Sequence, residues 1–108
     1  KKKIKHKNKD GDLSVYWYPQ VPCAEFRVPV RTFREALLVL DTLADYDRFQ
    51  YEHNIKPDYA NAGGLSVFVD GEWEEWCSED GTVFEDLVET EIEALDAGVV
   101  LNEVLREP

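Results

Sequence analysis

Basic side chains are scarce over most of this chain. No lysine or arginine occurs between Pro57 and Leu105, whereas the same span holds fourteen carboxylates. Six of the twelve basic residues lie in the first nine positions, so Asp10–Pro108 contains six basic and twenty-three acidic side chains and has a net charge of −17. A field of this sign repels nucleic acid and anionic membranes and attracts basic protein surfaces. We therefore expect a protein partner with a basic surface, and neither direct nucleic-acid binding nor membrane binding.

Cysteines and long apolar runs are also few. Cys23 and Cys77 are far apart and form no C-x-x-C pair, which favours two reduced thiols, with a single disulfide as the alternative. No run approaches the ~20 apolar residues that cross a bilayer. The basic first residues lack the apolar segment of a signal peptide. We expect a soluble, cytoplasmic protein.

The motifs of common enzymes and cofactor sites are missing. The chain contains no G-x-x-x-x-G-K-[ST] loop and no G-x-G-x-x-G turn, and its two cysteines and His53 lack zinc-site spacing. The pairs Asp10/Asp12 and Asp45/Asp47 lack the glycine and distal glutamate of a calcium loop. We expect no cofactor, no metal and no enzymatic activity. A hydrolase with carboxylates at 72–75 and His53 is kept as an alternative, although nothing local supports it.

The apolar pattern predicts one α+β domain. Alternation with period two predicts strands, and i, i+3, i+4 spacing predicts helices. We predict a flexible basic tail over residues 1–12 and a single domain over 13–108. In that domain two helices cover one face of a mainly antiparallel sheet of about four strands, in the order β-β-α-β-β-α. The predicted strands are 13–18, 25–30, 65–70 and 72–77, and the predicted helices are 33–46 and one that starts at about residue 84.

Local signals set the predicted boundaries. Thr32-Phe-Arg-Glu35 and Thr82-Val-Phe-Glu85 both fit a capping box. Gly98 is either a helix stop or a glycine tolerated inside a longer helix. Asp70-Gly71 predicts a tight hairpin. Residues 45–54 either extend the first helix or form a short second one, and 56–64 is predicted as a loop whose two glycines are free to take positive φ. In the last predicted strand, strict alternation places Trp73 and Trp76 on opposite faces. A bulge at residues 74–75 would place both indoles on the core side, so we expect either a bulge or a two-faced strand.

The second predicted helix places Glu85, Glu89 and Glu93 at i, i+4 and i+8. Like charges at this spacing destabilise a helix by about 0.2–0.5 kcal/mol per pair, a cost expected where function overrides folding. We interpret them as part of an acidic face that contacts a basic protein surface and loosely imitates a DNA backbone. A purely solubilising role is the alternative. The acidic face comprises Asp70, Glu72, Glu74, Glu75, Glu79, Asp80, Glu85, Asp86, Glu89, Glu93 and Asp96.

Two aromatic segments with polar tips form a second candidate surface. Tyrosine and tryptophan often anchor a partner, so a small-ligand or nucleotide-binding module is an alternative function. The competing interpretation is that these groups fasten a long loop onto the sheet. The apolar side chains of 99–105 are candidates for self-association as a homodimer. The aromatic surface comprises Tyr16, Trp17, Tyr18, Gln20, Gln50, Tyr51, Asn54, Tyr59 and Asn61.

Part of the sequence resembles a known family. The strings YWYPQ-V-PC and LDTLADYD-FQYE-NIKPDYANAGGL, followed by a short acidic hairpin with tryptophans, resemble small proteins of tailed bacteriophages and prophages. Some of these are called superinfection exclusion proteins. The resemblance covers Val15–Trp76 and carries no catalytic residues, and the segment after Gly81 shares none of it. It implies a phage accessory protein that acts inside the host cell against a competing phage or a host defence.

Overall fold

The computed structural model describes residues 8–20, 22–57 and 60–98. The predictions for the basic residues 1–7, for Tyr59 and for the apolar segment 99–105 lie outside these ranges. The described elements are strands β1 (Leu13–Tyr18) and β2 (Phe26–Val30), helix α1 (Phe33–Glu52), strands β3 (Ala62–Val69) and β4 (Glu72–Glu75), a 3₁₀ helix (Phe84–Asp86) and helix α2 (Glu89–Asp96).

The four strands form one antiparallel sheet in the order β2-β1-β3-β4. The helices pack on one of its faces, where Val15 of β1 and Leu65 of β3 join Ala36, Phe84 and Ile92 in a buried cluster. The predicted α+β class and element order are therefore confirmed. Because side chains alternate along a strand, Ser14, Tyr16 and Tyr18 lie on the opposite side of the sheet, which we call the open face.

The described part of the predicted tail is attached to the sheet. The N–H of Gly11 donates to the carbonyl of Phe68 at 2.9 Å, and the N–H of Phe68 donates to the carbonyl of Asp12 at 2.9 Å. The N–H of Asp70 also donates to the Asp10 carboxylate at 3.1 Å. These bonds hold residues 10–12 beside the end of β3.

Helix α1 is one helix of 20 residues that ends at Glu52. Residues 45–52 therefore extend the first helix, and the alternative of a separate short helix is wrong. Thr32 caps it as predicted, because its hydroxyl accepts from the N–H of Glu35 at 3.0 Å. The apolar pattern predicted a helix that ends too early, because the inward position one turn beyond Leu43 is occupied by Asp47 and not by an apolar residue. Asp47 is only 3% exposed, so the inward stripe continues with a polar side chain.

Strand β3 begins at Ala62, so Gly63 and Gly64 belong to a strand and the predicted loop is too long. Neither glycine has a positive φ. Glycine is required at both positions because the side chains of Trp17 and Tyr16 leave no space for a Cβ. A Cβ on Gly63 would lie 2.2 Å from Cε3 of Trp17, and one on Gly64 would lie 2.6 Å from the Tyr16 hydroxyl. A glycine inside a strand often marks such a close approach.

The hairpin between β3 and β4 has the predicted turn. Asp70 and Gly71 have φ values of 51° and 84°, as a two-residue turn of the type I′ class requires. One register runs through β4, with Trp73 opposite Phe68, and the N–H of Trp76 donates to the carbonyl of Leu65 at 2.8 Å. The two indoles therefore face opposite sides, which is the two-faced alternative and not the bulge.

The second helix starts later than predicted. Thr82 does not cap a helix; its hydroxyl donates to Asp80 at 2.8 Å. Phe84 begins a 3₁₀ helix that places its ring in the core, and Leu87 and Val88 are extended (ψ 148° and 167°) before α2 begins at Glu89. Gly98, with φ 83°, follows the end of α2 and confirms the predicted stop. Among the described helices, none is both long and apolar enough to span a membrane.

Candidate functional site

The α2 part of the acidic face is partly offset by groups of the protein itself. Nη1 of Arg34 lies 2.7 Å from Oε2 of Glu89 and 3.8 Å from Oε2 of Glu93. The carboxylate of Asp96 accepts from the backbone N–H groups of Phe33 and Arg34 at 2.8 and 2.9 Å. Negative charge at this position satisfies free N–H groups and complements the dipole of α1. These carboxylates therefore join α2 to the first turn of α1.

Glu85 does not share a helical face with Glu89 and Glu93. It lies in the 3₁₀ helix, and the extended residues Leu87 and Val88 separate it from α2. The predicted i, i+4, i+8 row is therefore wrong. The burial of Phe84, which is 1% exposed, accounts for the break, because this ring turns into the core ahead of α2.

The rest of the acidic face lies along edge strand β4 and the residues on either side of it. In the part of the chain that the structure describes, none of these side chains forms an ion pair with a basic side chain. Most are exposed at the sheet edge and its turns. We call this group the acidic edge: Asp70, Glu72, Glu74, Glu75, Glu79, Asp80, Glu85 and Asp86.

Asp80 has a local structural role within the acidic edge. Its carboxylate accepts hydrogen bonds from the hydroxyl of Ser78, and from the backbone N–H of Thr82 at 3.2 Å and its hydroxyl at 2.8 Å. These donors favour the charged form and lower the pKa of Asp80 below its usual value. The turn at 78–82 therefore keeps this carboxylate ionised.

The open face brings residues of both predicted surfaces together. The hydroxyl of Tyr16 donates to Oε1 of Glu75 at 2.6 Å, across the strand that contains Gly64. The ring of Tyr18 meets that of Tyr16 edge to face with centroids 6.0 Å apart, and its hydroxyl donates to Glu25 at 3.1 Å. The sequence patterns had treated the aromatic and acidic groups as separate sites.

Two titratable groups on this face are shifted by their surroundings. Burial raises the pKa of Glu85, and the charge of nearby Glu75 adds to the shift. Burial also raises the pKa of Tyr16, as does its hydrogen bond to Glu75. Both shifts show that the open face already disfavours additional negative charge at this point.

The open face also holds one of the chain's own cations, which the sequence analysis missed. Nε and Nη2 of Arg27 lie 2.7 and 2.5 Å from Oε2 of Glu25. Its Nη1 donates to the hydroxyl of Ser14 at 3.2 Å. The guanidinium carbon lies 4.9 Å from the ring centroid of Trp73. The alternation of β2 places Arg27 on the face opposite Val28, and this pattern in the sequence could have predicted that Arg27 lies on the open face.

The aromatic surface divides into buried and exposed residues. Trp17 is 6% exposed, and its Nε1 donates to Asp47 at 3.0 Å. Asn61 donates to the same carboxylate at 3.1 Å, and Nζ of Lys56 lies 3.1 Å from it. Lys56 also donates to the carbonyl of Pro19. Trp17 of β1 and Asn61, just before β3, are thus both tied to Asp47 of α1, whereas the competing interpretation expected these groups to fasten a long loop onto the sheet.

Three further residues of the aromatic surface, Gln50, Tyr51 and Asn54, lie along the end of α1 and the following turn, and Gln20 follows β1. Tyr51 is 47% exposed, and Asn54 adopts a left-handed conformation with φ 61°. The backbone carbonyl of Gln50 accepts from the N–H of Ile55 at 2.8 Å. Gln20 is half-buried. Gln50 and Tyr51 therefore belong to α1, whereas Tyr16 and Tyr18 belong to β1.

The groups of the hydrolase alternative are not brought together either. His53 follows the last turn of α1, where its ring contacts the carbonyl of Phe49 at 2.9 Å and stacks on the Phe49 ring. The carboxylates at 72–75 lie on β4. Cys23 and Cys77 are both free and exposed. Among the described residues, no three His, Cys, Asp or Glu side chains are arranged to hold a metal ion.

An open cavity of about 340 Å³ lies at one end of the sheet. Its lining includes Tyr18, Pro22, Cys23 and Ala62. Tyr18 is the only one of these four that belongs to the aromatic surface. The volume falls in the range of about 300–1,000 Å³ typical of small-molecule sites.

Comparison with known proteins gives two matches. The family model described as superinfection exclusion gene product 17 matches residues 12–97. The superinfection exclusion protein of Salmonella phage P22 is 44% identical over 80 residues, which cover 62% of this chain and 78% of that protein. No solved structure matches.

Proposed function

This chain belongs to the superinfection exclusion gene product 17 family, and we propose that it is a non-enzymatic phage accessory protein that excludes a second phage by binding a basic protein surface. Its relative in phage P22 is named a superinfection exclusion protein. The binding surface in this proposal is the acidic edge. The carboxylates of α2 are not part of it.

The acidic edge supports the proposal because none of its carboxylates pairs with a basic side chain within residues 8–20, 22–57 and 60–98. Arg34 forms ion pairs with Glu89 and Glu93, and Lys56 forms an ion pair with Asp47. The described residues provide no such cation for the eight carboxylates of the acidic edge. Clustered charge of one sign raises the local concentration of oppositely charged partners and accelerates their association.

The spacing along β4 is compatible with a partner surface that ordinarily binds phosphates. Glu72 and Glu74 point to the same side of the strand, and two strand residues span about 6.6 Å. This is close to twice the ~3.4 Å between phosphates along one DNA strand. In this proposal the acidic edge occupies a cationic nucleic-acid site on the partner.

Charge reversal tests the proposal. We would replace Glu72, Glu74 and Glu79 together by lysine and measure plating of a panel of challenge phages on cells that produce the variant. The matched control reverses Asp41, Asp45 and Glu52, three exposed carboxylates of α1, with the same change in charge. We expect the acidic-edge variant to lose exclusion and the control to keep it, while both retain the far-UV circular dichroism of the wild type.

Capture from host lysate provides the second readout. Binding of the partner should weaken as salt is raised, because salt screens exposed charges. A DNA duplex should compete with the protein for the partner. Full exclusion by the acidic-edge variant would show that the proposal is wrong.

The cavity favours a second candidate, a small-ligand or nucleotide-binding module. It is largely apolar, and Tyr18 offers a ring against which a base could stack. A nucleotide that binds the folded state should raise the melting temperature in proportion to its affinity. A melting temperature unchanged by millimolar nucleotides would exclude this candidate.

A further inference from the structure

The open face of the sheet shows how it binds a guanidinium group. Arg27 lies there with a carboxylate, Glu25, at 2.5–2.7 Å, a hydroxyl acceptor at 3.2 Å and the Trp73 ring at 4.9 Å. The guanidinium of arginine is planar, so it can donate paired hydrogen bonds at its edge and stack an aromatic ring on its face. The ammonium group of lysine cannot do both. This internal contact identifies the chemistry that the face can recognise.

The same kinds of group occur beside this contact on the open face, because Tyr16 is the cross-strand partner of Arg27, and the carboxylates there form no ion pair with a described basic side chain. Tyr16 supplies an aromatic ring and donates to Glu75 at 2.6 Å. A Cβ on Gly64 would lie 2.6 Å from the Tyr16 hydroxyl and 3.0 Å from Oε1 of Glu85. The glycine therefore allows a tyrosine and two carboxylates from three different segments to converge.

The charge at this point is unbalanced. Glu75 and Glu85 belong to the acidic edge and have no basic partner in the described ranges. Burial and the charge of Glu75 raise the pKa of Glu85, which is the behaviour of a carboxylate that lacks a counter-ion. A partner cation would relieve this repulsion, whereas an anion or a neutral apolar segment would not.

We propose that the open face docks an arginine-bearing segment of the basic partner, with the guanidinium held by Tyr16, Glu75 and Glu85. The inference rests on the proposed function and deepens it. It specifies which residues of the acidic edge recognise the partner and that the side chain they bind is an arginine. The other carboxylates of the acidic edge then contribute attraction without selecting arginine over lysine.

Peptide binding tests this selectivity. The probes are hexa-arginine and hexa-lysine peptides of equal charge, titrated into the 108-residue chain by calorimetry at one fixed salt concentration. We expect hexa-arginine to bind ~3–5-fold more tightly, the effect of one exposed cation–π contact. The double variant Glu75→Gln with Glu85→Gln should reduce this ratio to about one.

A matched double variant keeps the test specific. Glu72→Gln with Glu79→Gln removes the same charge from the acidic edge and should weaken both peptides while the preference for arginine persists. Tyr16→Leu should remove the preference without any change in charge. Circular dichroism and the melting temperature show that each variant is folded.

The outcomes separate this inference from the proposed function. Equal binding of the two peptides to the wild type, or a preference that survives in the Glu75/Glu85 variant, overturns the inference. The proposed function then stands if the Glu72/Glu74/Glu79 charge reversal still abolishes exclusion. If neither peptide binds, the inference is also wrong. If the charge-reversed variant loses exclusion and both peptides bind the wild type as predicted, the proposed function and the inference are both supported.

Discussion

Asp47 should be the most important polar side chain for the stability of this protein. Its carboxylate is 3% exposed and accepts from Trp17 at 3.0 Å and Asn61 at 3.1 Å, with Nζ of Lys56 at 3.1 Å. The side chains of Lys56 and Asp47 are only 11% and 5% exposed. In Asp47→Ala the lysine ammonium and the indole N–H would remain buried without their partner.

The magnitude follows from this loss. Removal of one member of a buried ion pair costs about 3–5 kcal/mol, because the remaining charge is left uncompensated. A domain of this size has a total stability of about 5–15 kcal/mol, so Asp47→Ala would leave the fold marginal. Asp47→Asn retains one oxygen acceptor but loses the charge, and we expect it to cost less, about 1–3 kcal/mol.

Urea unfolding followed by far-UV circular dichroism measures the effect. Tryptophan fluorescence is less suitable because Trp17 is itself a partner of Asp47. The control is Asp45→Ala, an exposed carboxylate on the same helix, which should change stability by less than about 0.5 kcal/mol.

A double-mutant cycle with Lys56→Met should give a coupling energy of at least about 1 kcal/mol. A cost below about 1 kcal/mol for Asp47→Ala would refute the argument that this ion pair holds the loops onto α1.

Three further predictions concern the glycine contact, the open face and the start of α1. Gly63→Ala should destabilise by about 1–3 kcal/mol in urea unfolding, since the new Cβ would collide with Trp17. The pKa of Glu85 is raised above 4.5 on folding, so stability falls as pH rises through that pKa. Glu85→Gln should therefore raise the melting temperature at pH 7 and leave it nearly unchanged at pH 4. Asp96→Ala should cost about 0.5–2 kcal/mol by urea unfolding, as for loss of an N-cap. No change in any of these would contradict the corresponding contact.

Much of the fold was predictable because its signals are local. The alternation of Leu13–Tyr18 gave β1 with its observed bounds, and Asp70-Gly71 gave the hairpin turn. Thr32 was recognised as a cap because the hydrogen bond that it makes spans only three residues. Where a contact spans many residues, local patterns misled. Gly63 and Gly64 resembled a loop because glycine is common in turns, although their role is to make room for Trp17 and Tyr16.

The candidate site was predictable only in its residue types. Charge bias identified Glu75 and Glu85, and aromatic density identified Tyr16 and Tyr18. Their meeting on the open face depends on the register of β1, β3 and β4. Arg34 lies fifty-five residues before Glu89, so no helical spacing rule could reveal that it pairs with carboxylates of α2.

The amino-acid sequence by itself determined the α+β class, the local turns and caps and the strongly negative character of the chain, since each depends on composition or on neighbours a few residues away. Tertiary structure alone decided which carboxylates are satisfied within the molecule and which lie exposed beside aromatic rings. Electrostatic energy depends on distance through space, and folding brings Asp47 to Lys56 and Asp96 to the start of α1 while it leaves the acidic edge without a counter-charge among the described residues.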